Sequence, residues 1–263
     1  MSWEKEAKNI AKWMRNYNKD AGTSGYVLGL SGGLDSAVSA ALAKEAVGKD
    51  NVIVIYMSCY SNPSSFYDAF SVAQQLGFII RQEPLEEIYD IIIEKRYGSF
   101  KNCLLTNIAS GNIKARLRML ILYDMANQNN KLVLGTGNFS EIKLGYFTKF
   151  GDGACDIEPL GNYLKTEIYE LAKTLSIPQE IIDKPPSADL WEGQTDEEEL
   201  GMSYKKIDKI LIALLTKQRD LLDSIPIEDM DKILKLVKIN EHKNRVPPRP
   251  IRYSPITKCL DLL

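Results

Sequence analysis

Apolar runs and amphipathic stretches alternate along the first half of the chain. Residues 2–19 place Trp3, Ala7, Ile10, Met14 and Tyr17 on one side of a helix. Tyr26-Val27-Leu28-Gly29-Leu30 is a short apolar run, the pattern of a buried strand, and 37–45 reads as a helix. The alternation then repeats. A second strand is predicted over 51–57, a helix over 65–76, and a third strand at Phe78-Ile79-Ile80-Arg81. A helix follows over 85–96, then a long one over 104–127 with Ile113, Leu117, Leu120 and Ile121 at core spacing, then a fourth strand at Lys131-Leu132-Val133-Leu134. Strands alternating with helices predict an α/β fold, a parallel sheet with helices on both faces, whose ligands bind at the carboxyl ends of the strands.

The second half reads as mostly helical. A helix over 162–175 carries Lys165, and Ile177-Pro178 starts a short one. Lys184-Pro185-Pro186-Ser187-Ala188-Asp189 is extended, because proline disfavours helix at the residue before it. Thr195-Asp196-Glu197-Glu198 has the form of a capping box and is taken as an ordinary helix start. Helices are expected over 197–216 and 227–240, and 245–250 is extended. No internal repeat interrupts this order, so residues 1–263 are expected to form one domain with C-terminal helices.

The stretch with most chemistry lies between the first strand and its helix. In Ser31-Gly32-Gly33-Leu34-Asp35-Ser36 the glycines permit close backbone approach to a ligand. The free N–H groups at the helix start favour an anion, and the serines add hydroxyl donors. Asp35 repels phosphate unless both bind one divalent cation. Together these features read as a pyrophosphate loop. It has neither the lysine of a Walker loop nor G-x-G-x-x-G spacing. The fourth strand ends in a second polar loop, Gly135-Thr136-Gly137-Asn138-Phe139-Ser140-Glu141, which offers a hydroxyl and a carboxylate opposite Asp35. Residues 147–156 combine glycine with charge and read as a mobile loop without apolar anchors, a lid.

Composition narrows the class. The hydrophobic share of 44% and charged share of 26% are ordinary for a soluble globular chain. A net charge of −2 with no long basic run gives no nucleic-acid surface. The N-terminus has no apolar signal region and no stretch is apolar enough for a bilayer, so a cytoplasmic protein without a membrane partner is expected. Cys59, Cys103, Cys155 and Cys259 form no C-x-x-C pair and read as reduced thiols. His242 is the only histidine, which argues against a zinc site and leaves one residue for any Ser-His-Asp triad.

The SGGLDS loop resembles that of the ATP pyrophosphatases. Four further stretches make the resemblance specific: Asn112-Ile113-Lys114-Ala115-Arg116-Leu117-Arg118-Met119, the loop 135–141, Phe147-Thr148-Lys149-Phe150-Gly151-Asp152-Gly153, and 184–199 with Pro185-Pro186-Ser187-Ala188-Asp189-Leu190-Trp191. With His242-Lys243, they resemble the ammonia-dependent NAD synthetases over nearly the whole chain. The resemblance implies an adenine-nucleotide alpha-hydrolase-like, Rossmann-like sheet and a homodimer. It implies that deamido-NAD, ATP and ammonia give NAD, AMP and pyrophosphate through an acyl adenylate.

The resemblance also implies residue roles. Gly29, Leu30, Ser31, Gly32, Gly33, Leu34, Asp35, Ser36, Thr136, Lys165 and Ser187 contact ATP, and Asp35 and Glu141 hold Mg2+. Arg116, Lys149, Asp156, His242 and Lys243 contact deamido-NAD, and Asp35 and Lys165 are catalytic. Ser187 stands where the family often has threonine, which keeps the hydroxyl. Residues 57–65 depart from the family pattern, so no adenine contact is assigned there, and Arg81 is a weaker candidate for the nucleotide. The competing class is another pyrophosphatase-superfamily enzyme, one that thiolates or lysylates tRNA, which a basic surface or sulfur-carrying cysteines would favour. A nucleotide-binding regulatory module needs neither Asp35 nor Glu141, and a structural dimer partner needs only the linker and C-terminal helices. The traced elements use up the chain and its cysteines lack a nearby histidine, so free ammonia rather than glutamine is the expected nitrogen source.

Overall fold

Side chains of the central strands alternate between two apolar layers. From the first strand Tyr26 and Leu28 enter one layer and Val27 the other, and from the second Val52, Val54 and Tyr56 oppose Ile53 and Ile55. The computed structural model describes residues 2–98, 105–191 and 193–250. Its elements are α1 (Trp3–Asp20), β1 (Tyr26–Gly29), α2 (Leu34–Val47), β2 (Val52–Tyr56), α3 (Pro63–Leu76), β3 (Ile80–Gln82), α4 (Glu86–Tyr97) and α5 (Asn107–Gln128). Then come β4 (Leu132–Val133), α6 (Phe139–Leu144), α7 (Lys165–Thr174), α8 (Gln179–Ile182), α9 (Asp196–Leu200), α10 (Tyr204–Thr216), α11 (Arg219–Asp223) and α12 (Ile227–Asn240).

The strands pair in parallel in the order β3-β2-β1-β4. The chain runs outward from β1 to β3, then returns to the other side of β1. That reversal places a switch point between the carboxyl ends of β1 and β4. Helices α1, α2, α3, α7 and α8 pack on one face of the sheet, and α4 and α5 on the other. A separate cluster joins Leu144 at the end of α6 to the C-terminal helices through Ile207, Ile210, Leu211 and Ile233.

The expected elements are present with shifted ends, and three details differ. The helix expected over 197–216 is two helices, because Gly201 adopts a left-handed φ of +62° and closes α9. Thr195 makes no side-chain cap bond there. Residues 147–156 are also tied down rather than free of anchors. The Thr148 N–H donates to Asp152 Oδ1 at 3.0 Å and its hydroxyl to Asn112 Oδ1 at 2.7 Å. Gly153 lies so close to Phe147 that an added Cβ would sit 2.3 Å from the ring. The readings at Cys103 and Cys259, and the first residue of the 104–127 helix, lie outside the described residues. Among those residues no helix is long and apolar enough to cross a membrane.

Candidate active site

The turn after β1 is held by its own serines. The Ser31 N–H donates to Ser36 Oγ at 3.2 Å, the Gly33 N–H to Ser31 Oγ at 3.2 Å, and the Ser36 hydroxyl to the Gly33 carbonyl at 2.9 Å. Gly33 is the N-cap of α2 and makes no side-chain cap bond, so the helix start keeps unfilled donors. Gly32 has a φ of +81°, and a Cβ there would meet the Ser65 carbonyl oxygen at 2.6 Å. The loop therefore lies directly against the first turn of α3. Alanine and serine let α2 bury nearly every side while it stays close to the sheet.

Across the switch point, α6 opens with a true capping box. The Glu141 N–H donates to Asn138 Oδ1 at 3.0 Å, and the Asn138 N–H to Glu141 Oε2 at 3.3 Å. The other Glu141 oxygen faces Lys165 Nζ at 3.2 Å, and the same ammonium donates to Asp35 Oδ2. The Lys165 side chain is 4% exposed, and the two carboxylates are 16% exposed each. Residues far apart in sequence, from the starts of α2, α6 and α7, thus converge on one point.

One ammonium between two carboxylates leaves the cluster short of positive charge. Burial, with Asp35 adding to it, pushes the Glu141 carboxyl up to about 8 against the opposing pull of Lys165. Burial works to lower Lys165, but Asp35 and Glu141 outweigh it and hold the ammonium above its ordinary range. The Tyr204 ring lies 5.2 Å from Lys165 Nζ. Its hydroxyl donates to Asp196 Oδ2 at 3.1 Å, and the Tyr146 hydroxyl to Asp196 Oδ1 at 3.3 Å. Burial raises Asp196, Tyr146 and Tyr204 alike, so the two phenols remain donors.

Asp35, Glu141, Tyr146, Lys165 and Asp196 line a cleft of about 740 Å³, which also takes in Gly29, Leu30, Ser31, Gly33, Leu34, Ser36, Thr136, Ser187 and Lys243. Its outer wall is the proline-rich strap that begins at Lys184. Lys184 pairs with Asp68 at 2.6 Å. Asp189 accepts from the Asn62 N–H at 3.1 Å and the Ser65 hydroxyl at 2.9 Å, and buried Lys114 donates to the Leu190 carbonyl at 2.8 Å. The Ser187 hydroxyl donates to the Gln194 carbonyl at 2.6 Å.

Five expected residues, Gly32 of the turn among them, do not line the cleft of the single chain. Arg116 donates to the Lys149 carbonyl at 3.2 Å, and Lys149 Nζ to the His242 carbonyl at 2.7 Å, forming one exposed row. Asp156 accepts the Val133 N–H at 2.7 Å and so ends strand β4. Sequence reasoning missed Tyr204, Asp196 and Arg118. Arg118 lines the cleft and donates to the Met57 carbonyl at 3.0 Å and the Ser61 hydroxyl at 3.0 Å. Its available signal was the spacing from Lys114, which sets two long cations on one helix face.

Comparison with known proteins agrees with this geometry. A chain named NH(3)-dependent NAD(+) synthetase from Methanocaldococcus jannaschii is 45% identical over 256 residues, covering 95% of this chain and 97% of that one. The structure of an NH3-dependent NAD synthetase from Campylobacter jejuni superposes with a TM-score of 0.82 at 32% identity, covering 95% of this chain and all of the other. An NMN synthetase from Francisella tularensis superposes with a TM-score of 0.84 at 32% identity, covering 95% of this chain and 99% of that one. The profile of the NAD synthase family matches residues 6–247, and the chain belongs to that family.

Proposed function

We propose that this cleft makes NAD from deamido-NAD, ATP and ammonia, releasing AMP and pyrophosphate. The chain is an enzyme, a ligase of the ammonia-dependent kind. The observation that carries the reading is the convergence of Asp35 and Glu141 on Lys165 beside the Gly-Gly turn.

A carboxylate is a poor acyl donor, because its leaving group would be oxide. Attack by the nicotinate carboxylate on the α-phosphorus of ATP expels pyrophosphate and converts that oxygen into part of a phosphate leaving group. Ammonia then adds to the acyl carbon and AMP departs. No covalent nucleophile from the chain is required. The free amides at the start of α2, in a turn that Ser36 braces, and the Ser31 hydroxyl hold the β- and γ-phosphates, and Lys165 stabilises the charge that develops on the departing pyrophosphate. Thr136 offers its hydroxyl to the nucleotide from one wall, and Ser187 lies on the strap at the other, its hydroxyl engaged by the Gln194 carbonyl.

The two carboxylates suit Mg2+. They meet at a point already occupied by positive charge, and among the described residues no third acidic, cysteine or histidine side chain joins them. Asp35 and Glu141 would hold the ion together with oxygens of the phosphates. Bound there it would neutralise charge on the pyrophosphate.

Lys243 reaches the cleft, whereas Arg116, Lys149, Asp156 and His242 lie outside it. We therefore assign deamido-NAD to a path that runs from the cleft onto the exposed Arg116–Lys149 row, completed by a second subunit of a homodimer. The test is incubation with ATP, Mg2+, ammonium and deamido-NAD, followed by chromatography, with nicotinate mononucleotide run in parallel because one structural neighbour is an NMN synthetase. NAD, AMP and pyrophosphate in equal amounts are expected. ADP and phosphate as products would sink the reading.

A further inference from the structure

Asp208 lies outside the cleft, yet it touches both sides of the charge cluster. It is on α10, is 2% exposed and lies among Ile207, Ile210 and Leu211. A carboxylate buried in apolar surroundings must be fully hydrogen-bonded to be tolerated. Its Oδ1 accepts the Ser140 hydroxyl at 2.5 Å, and its Oδ2 accepts the Thr166 N–H at 2.8 Å. Ser140 Oγ in turn accepts the Lys165 N–H at 3.0 Å. The first two amides of α7 are therefore capped by a side chain of α6 and by a carboxylate of α10.

The residues tethered this way adjoin the reactive ones. Ser140 is next to Glu141 in α6, and Thr166 is next to Lys165 in α7. Between them runs the 3.2 Å contact from Lys165 Nζ to Glu141 Oε1. One helical turn before Asp208, Tyr204 packs its ring against the Lys165 ammonium, so a single face of α10 grips the lysine at its backbone and at its tip. Buried carboxylates that hold backbone amides fix geometry more strongly than neutral side chains do, because the bonds are charge-assisted.

We propose that Asp208 is a positioning residue for the reaction: by bridging Ser140 and Thr166 it fixes the distance between Glu141 and Lys165. The inference rests on the assignment of those two residues to catalysis. Asp208 touches no substrate. It acts on the two starting turns whose side chains do.

The experiment uses the full chain with Asp208→Ala, Asp208→Asn, Lys165→Met and Ile210→Ala. Ile210 is an apolar residue buried on the same helix and has no group that can replace either tether, so its variant reports loss of packing. Asp208→Ala removes both tethers, and kcat should fall about 10- to 100-fold, the range typical of residues that orient reactive groups, while KM for deamido-NAD stays within twofold. Asp208→Asn retains one acceptor for the Thr166 amide and should recover part of kcat even if the alanine variant folds poorly. Hydrogen exchange at the Thr166 amide should quicken in Asp208→Ala. Ile210→Ala should lower Tm and leave kcat per folded molecule unchanged. In the double variant with Lys165→Met, Asp208→Ala should add nothing to the loss.

Native kcat in the folded Asp208 variants, or an equal loss in Ile210→Ala, overturns the positioning role and leaves the site assignment standing. Native turnover in Lys165→Met overturns the site assignment, and the inference falls with it.

Discussion

Replacing Gly32 with alanine tests whether the turn after β1 must press against α3. The residue is buried and has a φ of +81°, where an L side chain is strained by roughly 1–2 kcal/mol. The added Cβ would also lie 2.6 Å from the Ser65 carbonyl oxygen, 2.8 Å from Asp68 Cβ and 3.0 Å from the Ala69 nitrogen. Two of those atoms are backbone and cannot rotate away, so the helix or the loop must move, at an overpacking cost of about 1–3 kcal/mol. The sum is roughly 2–5 kcal/mol, which at about 2–4 °C per kcal/mol lowers Tm by roughly 4–20 °C. Gly22 supplies the control, because it also has a positive φ, +68°, but a Cβ added there would have nothing within 4 Å. Gly22→Ala should show the backbone strain alone, roughly 1–2 kcal/mol. Thermal unfolding of both variants gives the difference. Turnover below the lower Tm gives the functional consequence, expected as a kcat/KM for ATP reduced about tenfold or more in Gly32→Ala only. Equal Tm values for the two variants would refute the close approach of loop and helix.

Asp35→Asn and Glu141→Gln should each lose turnover at least about tenfold, since each removes charge from the cluster; a titration of Mg2+ at fixed ATP checks both, and near-native rates at limiting metal in either variant count against that residue. At fixed total ammonium, NAD formation should rise with pH, because only neutral ammonia has the lone pair that attacks the acyl carbon; a rate that falls across the same range would point to a different nucleophile. Glutamine freed of ammonia should not replace ammonium, and comparable NAD yields from the two would reveal an amidase site in this chain.

The parts legible in the sequence are those written in consecutive residues. The SGGLDS turn needs only its own glycines, its serines and the strand before it, whereas α6 begins inside residues that the sequence reads as a loop, although Asn138 and Glu141 stand at capping-box spacing. The core alternation of β1 and β2 is equally local. What was hidden depends on separation. Tyr204 and Asp208 sit in an amphipathic helix whose apolar stripe accounts for most of its buried face, and their partners lie as far as 68 residues away in sequence. Periodicity therefore reads them as helix surface or core edge. Arg116 and Arg118 show the opposite difficulty. Both sit off the apolar stripe of α5, but only the structure separates the exposed one from the one that donates to Met57 inside the cleft. In residues 147–156 the expected lack of anchors fails for a further reason. Gly153 there lets the backbone meet the Phe147 ring, a contact that a single sequence does not show.

The C-terminal helices are part of the site rather than an appendage to the sheet. Glu141 sits on α6, a helix of six residues that is too short to hold its own position. On its sheet side it has the capping box. On the opposite side α10 binds Ser140 through Asp208, and α12 binds its end, where Asn240 donates to the Leu144 carbonyl at 2.9 Å. The next residue, Gly145, has a φ of +65°, and a Cβ there would fall 2.2 Å from Asn240 Cβ, so α12 packs onto bare backbone. Lys243 follows, donating to the Gly145 carbonyl at 2.6 Å and the Phe147 carbonyl at 2.9 Å. The Lys243 ammonium faces two carbonyls and lines the cleft, and it forms no ion pair among the described residues, so its charge is available to an anionic substrate. Asn240 and Lys243, which hold the end of α6 and the backbone after it, thus also line the cleft. The carboxylate that pairs with Lys165 and the ammonium of Lys243 are both fixed through one helix of six residues, the first by its own place on α6 and the second by the carbonyls that follow it.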